Sequence, residues 1–178
     1  MFATLALVPA SAVAAPGVLY VGDSLGVGTL PHLPARVDGY AWVGRTSGEG
    51  LSVLRSKLRR RHRIVIFDLG SNDAHPAALA RNLKRARRRA RGRRMIVFTL
   101  NRPQARRFNR VVRDFASSAR DVALIDWHAS ARRERLLSAD GIHAAAHGYR
   151  RRAALIARRL SGGRARGASS KPRSRSRR

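Results

Sequence analysis

Serine is a poor nucleophile at neutral pH until a base takes its proton. This chain places one directly after its first strand-like run, in Gly22-Asp23-Ser24-Leu25. A carboxylate and an imidazole stand three positions apart near the other end, in Asp140-Gly141-Ile142-His143. Within a single turn, Asp140 can face one ring nitrogen of His143 while the other nitrogen points outward to a serine on a neighbouring loop. These types and spacings suit a serine activated by a histidine base with an acidic partner, the chemistry of acyl transfer.

Each residue also has a plainer use. Ser24 could cap a helix, as could Asp140, leaving His143 an exposed first-turn residue. Residues 22–26 read literally as G-x-S-x-G, the elbow of α/β-hydrolases, but here the motif follows the first strand of a small domain. Gly22, Gly26 and Gly28 run G-x-x-x-G-x-G, which is not the dinucleotide fingerprint. His143 and His147 are spaced as two zinc ligands on a helix would be, with no glutamate after the first histidine and no thiolate in the chain, so His147 is assigned to the helix surface. Asp126-Trp127-His128 is a competing acid and base, ranked below a strand-end turn with Trp127 packed under the loop.

The elements that must position these groups alternate along the chain. Strand-like apolar runs occupy 17–21, 40–43, 64–69, 95–100 and 122–126, with helical patterns over 50–60, 76–91, 103–119 and 144–160. Such alternation predicts an α/β fold, a parallel sheet with helices on both faces. In open parallel sheets the functional crevice lies beyond the carboxyl ends of the strands. Ser24, Gly44, Asn72 and Asn101 each follow a strand by a few residues, so they should gather on one rim.

Acyl transfer also needs donors aimed at the oxyanion of its tetrahedral intermediate. The Asn72 amide in Gly70-Ser71-Asn72-Asp73, the Gly44 backbone N–H and the Ser24 N–H are the candidates. Asparagine, aspartate and glycine also form turns readily, so each has a structural alternative.

With 178 residues the chain has room for one domain with a sizeable core. Residues 1–15 are apolar, Ala-rich and end in Ala12-Val13-Ala14; without the usual basic start they read as a signal peptide or hydrophobic leader. Secretion or residence in the cell envelope is the expectation, and cytoplasmic residence follows if the leader is retained. No segment reaches the ~20 apolar residues of a transmembrane helix, so a soluble mature protein is expected. Cysteine is absent, which excludes disulfides and thiolate metal sites. The net charge is +28, with arginine clusters at 55–63, 81–94 and 164–178. The internal clusters read as solvated helix faces. Residues 162–178 read as a disordered basic tail, able to make non-specific contact with a polyanion through 164–178.

Gly22-Asp23-Ser24-Leu25, Gly44, Gly70-Ser71-Asn72-Asp73 and Asp140-Gly141-Ile142-His143 together resemble the four ordered blocks of the SGNH or GDSL hydrolases. The resemblance spans about residues 17 to 160 and implies a flavodoxin-like three-layer α/β/α fold with a five-stranded parallel sheet over a domain of residues 16–161. It implies serine esterase chemistry with no cofactor and no metal. Ser24 is similar to the nucleophile, His143 to the base and Asp140 to its partner. Ser24, Gly44 and Asn72 resemble the oxyanion donors, with Asp23 a loop-fixing aspartate and Asp73 in support. The Gly44-Arg45-Thr46-Ser47 turn and the Gly148-Tyr149 that follows His143 resemble small SGNH domains found with membrane acyltransferases of bacterial envelopes. The implied function is hydrolysis of O-acyl esters, O-acetyl in particular, on small molecules or envelope carbohydrates through an acyl-serine. An O-acyltransferase with the same site, and a polyanion-binding protein acting through its tail, are the alternatives.

Overall fold

The computed structural model describes residues 17–161; the leader and the basic tail assigned from the sequence lie outside the described residues. Apolar runs rich in β-branched residues become five parallel strands: β1 (Gly17–Gly22), β2 (Val37–Ala41), β3 (His62–Asp68), β4 (Arg94–Phe98) and β5 (Val122–Ile125). They are ordered β2-β1-β3-β4-β5, the doubly wound flavodoxin-like order. Between and after them run α1 (Ser24–Thr29), α2 (Ser47–Lys57), α3 (Pro76–Arg89), α4 (Ala105–Ser117), α5 (Trp127–Arg133) and α6 (Ala146–Ser161). No helix among the described residues is long and apolar enough to cross a membrane.

Successive strand residues point to opposite faces, and both faces are covered. Leu19, Val21, Val65, Phe67, Met95 and Val97 form one core with Leu54 of α2, Leu79 and Leu83 of α3, and Phe108 and Val112 of α4. Val18, Tyr20, Ile64, Ile66, Ile96 and Phe98 form the other with Trp127 of α5 and Ile156 and Leu160 of α6. The result is the expected three-layer α/β/α arrangement.

Two elements depart from the sequence reading. The second strand lies at Val37–Ala41 instead of 40–43, because Val37 to Ala41 pair with Val18 to Gly22 of β1. Trp42 and Val43 therefore leave the sheet and stand 71% and 66% exposed. Residues 127–133, unassigned in the sequence, form α5, capped by Asp126, which accepts from Ala129 N. Seven residues are too few for a helical period to register, yet Trp127 at the helix start is fully buried as expected.

The sheet order sets where chemistry can occur. Strands β1 and β3 are neighbours, and the chain continues to opposite sides from them, so their carboxyl ends open a crevice. Ser24 sits at the end of β1 and Asn72 follows β3.

Candidate active site

The turn after β1 is built to present Ser24. Asp23 is the N-cap of α1, with Oδ1 accepting from Leu25 N at 3.0 Å, and Asp23 N donates to Asp68 O at 3.3 Å. Asp23, not Ser24, therefore satisfies the helix start. The Ser24 hydroxyl is left free to face across the rim.

The partner comes from the loop before α6. Leu137 and Ala144 pair as an antiparallel bridge, Ser138 N donates to His143 O at 2.9 Å, and Ala145 N donates to Leu136 O at 2.9 Å. Gly148 presses this loop onto α6: a Cβ there would lie 2.2 Å from Leu136 O, so only glycine permits the approach. Inside the closed loop, Asp140 Oδ1 accepts from Ile142 N and His143 N, both at 2.9 Å, and from Ser138 Oγ at 2.8 Å. Its Oδ2 accepts from His143 Nδ1 at 2.6 Å. The His143 ring bond, followed by those from Ile142 N, the Ser138 hydroxyl and His143 N, holds the Asp140 carboxyl well below the usual carboxylate range.

With Nδ1–H donating to an ionised carboxylate, His143 Nε2 is left to accept. Ser24 Oγ lies 2.9 Å from it. Ser24, His143 and Asp140 thus form one continuous relay drawn from both ends of the domain. The side chains of His143 and Asp140 are 41% and 47% exposed, so the relay opens onto solvent.

Gly44 and Asn72 flank the same rim. Gly44 adopts φ +78° with open space around it, and Arg45 fixes its turn by donating from Nη1 to Gly22 O at 3.2 Å and Tyr40 O at 2.6 Å. Asn72 Nδ2 donates to Arg45 O at 3.1 Å, which joins the loop after β3 to the turn bearing Gly44 and leaves a second amide hydrogen available. Asp73 is buried and accepts from Ser47 N at 2.8 Å and from Ser47 Oγ, tying the same loop to the first turn of α2. It ties the scaffold together.

The competing pair is not assembled. Asp126 accepts from Thr99 Oγ1 at 2.7 Å and pairs with Arg113, whereas His128 Nδ1 donates to Asn101 Oδ1 at 2.8 Å. His147 is exposed and donates from Nε2 to Arg135 O at 3.2 Å. Among the described residues no group of three His, Cys, Asp or Glu side chains could hold a metal ion.

The sequence reading missed a buried polar cluster beneath the Ser24 turn. Asp68 accepts from Tyr20 OH and from Arg152 Nη2, and all three side chains are essentially inaccessible. Asp23 lies in the same field, and its Oδ2 has no hydrogen-bond partner. Burial, then repulsion from Asp68, pushes its carboxyl up to about 7; the Leu25 N–H and Arg152 oppose this, and the Ser71 hydroxyl least of all. A group that holds its proton in the folded state up to about pH 7, but loses it near 4 when unfolded, makes stability fall as pH rises through that window. Asp23→Asn keeps the cap oxygen and removes the titration. The variant should gain melting temperature over wild type progressively between pH 4.5 and 7.5, a trend that thermal denaturation at the two ends would reveal or refute.

No protein-family model matches the chain, and no curated protein matches it in sequence. Solved structures do match in fold. The C-terminal catalytic domain of Streptococcus pneumoniae peptidoglycan O-acetyltransferase A, solved with a methylsulfonyl adduct, superposes with a TM-score of 0.73 at 17% identity, covering 85% of this chain and 96% of that one. TesA superposes at 0.70 with 23% identity, over 82% and 98% of the two chains. The psychrotrophic esterase EstA from Pseudoalteromonas sp. gives 0.68 at 13% identity, over 84% and 99%. The chain has the three-layer α/β/α fold of the SGNH type, matched along nearly the whole length of these neighbours.

Proposed function

We propose that the protein is a serine esterase that cleaves O-acyl esters, O-acetyl esters of carbohydrates in particular, through an acyl-serine intermediate. The observation that carries this reading is the relay from Ser24 Oγ through His143, at 2.9 Å and 2.6 Å, to an Asp140 carboxylate held charged by four hydrogen bonds. Ser24 Oγ attacks the ester carbonyl carbon while its proton passes to His143 Nε2. Asp140 stabilises the imidazolium that results. The N–H groups of Ser24 and Gly44 and the Asn72 amide receive the oxyanion. As the intermediate collapses, His143 returns the proton to the departing alcohol, leaving the acyl group on Ser24. Water, deprotonated by His143, then releases the acid and restores the serine.

The same site performs O-acyl transfer if a sugar hydroxyl replaces water in the second half. The similarity to a peptidoglycan O-acetyltransferase domain supports keeping this as the second reading. An ester-hydrolysing preparation given a sugar acceptor separates the two: free acetate as the sole product favours the esterase, and acetylated acceptor favours the transferase. A serine-directed phosphonate should add once, on the peptide containing Ser24. Stoichiometric labelling elsewhere, or none, would remove Ser24 from the mechanism.

A further inference from the structure

Beside Asp140 the rim opens into a cleft of about 560 Å³ between the β4–α4 loop, α5 and the loop before α6, lined by neither Ser24 nor His143. Its chemistry is one-sided. Arg102, Arg132, Arg135 and His128 line it, and the lone carboxylate there, Asp140, already accepts from Ser138, Ile142 and His143. The wall also includes Asn101, which is 3% exposed. Asn101 Oδ1, an acceptor, lies 2.8 Å from His128 Nδ1, which donates to it. That leaves Asn101 Nδ2 as a buried donor with no partner.

A buried amide donor left unmatched costs free energy unless something bonds it. Its setting is rigid. Asn109 clasps the neighbouring Leu100, donating from Nδ2 to Leu100 O at 3.0 Å and accepting from Leu100 N at 2.6 Å. Arg102 is likewise held, donating from Nη1 to Gly70 O and Asp73 O and lying over the Phe108 ring at 3.8 Å. Arg132 and Arg135 are exposed, and their guanidinium groups make no hydrogen bond among the described residues. Donors of this kind, arrayed with no free acceptor, match a carboxylate or phosphate.

Position gives the group a place in the substrate. His143 must reach the departing oxygen, so the alcohol portion of an ester lies toward the base, and this cleft begins at the residues that hold that base. We infer that the cleft is an anion subsite that takes a carboxylate or phosphate carried on the alcohol portion of the substrate, with Arg132 and Arg135 as its recognising residues and the unmatched Asn101 amide buried in the wall beneath them. The inference deepens the esterase reading and rests on it for the orientation of the ester.

The test must separate the cleft from the general attraction of a chain with net charge +28. Acetyl esters of galactose, galacturonate and galactose 6-phosphate are hydrolysed by the full chain at about 0.15 M ionic strength, where surface charges beyond ~8 Å are screened. KM should be roughly tenfold lower for at least one charged ester than for the neutral one, the effect of one charge-assisted bond, and the preferred anion tells carboxylate from phosphate. Asn101→Asp, which keeps the acceptor for His128 and replaces the free donor with a charge, should abolish the preference while kcat on acetyl-galactose stays. Arg132→Gln with Arg135→Gln, at exposed positions whose guanidinium groups bond nothing among the described residues, should reduce it. Arg88→Glu on α3 should leave it intact. No preference in the wild type, a preference that survives Asn101→Asp, or one lost equally in Arg88→Glu would overturn the subsite. If no ester is hydrolysed, the esterase reading fails on its own, and calorimetric binding of galacturonate and galactose 6-phosphate to the same proteins still decides the cleft.

Discussion

Ser24→Ala should lower kcat on p-nitrophenyl acetate by roughly a thousandfold or more, with the melting temperature nearly unchanged. The asymmetry follows from how Ser24 is held. Among the described residues its hydroxyl bonds only His143 Nε2, and the helix start is capped by Asp23, so removing Oγ deletes the proposed nucleophile without orphaning a backbone group. His143→Ala should cost about as much, because a serine with no base is little better than no serine. The double variant should be no worse than either single, since the two side chains act as one unit. Asp140→Asn should fall less far but still heavily: it exchanges an ionised acceptor for an amide that can present a donor to Nδ1, which favours the wrong imidazole tautomer. Additive losses would mean that Ser24 and His143 serve separate purposes, and equal rates in wild type and Ser24→Ala would end the proposal.

What could be read in advance divides along a physical line. Strand periods and turn residues are local signals, so the five-stranded α/β alternation and the gathering of Ser24, Gly44 and Asn72 on one rim were legible, as was the Asp140–His143 turn. The β2 register was not, since pairing with β1, and not the apolarity of Trp42 and Val43, decides where an edge strand begins. Among the site residues, the 2.9 Å contact between Ser24 and His143 could be anticipated only from the order of the blocks. Arg152 left no trace at all. It lies in a run of three arginines, Arg150 to Arg152, within a chain of 38 Lys and Arg, and nothing local distinguishes the one that turns inward. The same holds for Asn101, whose unmatched amide becomes visible only when His128 is seen to occupy its oxygen.

The inward turn of Arg152 carries the largest expected effect on stability. Its guanidinium is wholly buried under the sheet, bonded to Asp68 at the end of β3 and stacked 4.3 Å from the Phe98 ring and 4.9 Å from the Trp127 ring. Burial alone would drive its proton off, but the Asp68 carboxylate holds its pKa above the ordinary value. Burial also pushes the Tyr20 hydroxyl up, with Asp68 adding to it, so Tyr20 remains a donor. Arg152→Met would keep much of the packing volume and leave the Asp68 carboxylate buried with no countercharge, a change that costs about 3 to 5 kcal/mol in buried pairs. For a domain of this size that is roughly 10 °C of melting temperature. Adding Asp68→Asn should recover part of the loss, because an amide needs no countercharge and still accepts from Tyr20; the double variant should therefore melt above Arg152→Met alone. Full additivity of the two losses would show that the charges do not depend on one another. Arg152 also stands on α6, directly behind the loop that carries His143, so a relaxed α6 should lower kcat as well as stability. Restoring stability through Asp68→Asn without restoring kcat would show that the Arg152 tie to β3 also sets where His143 meets Ser24.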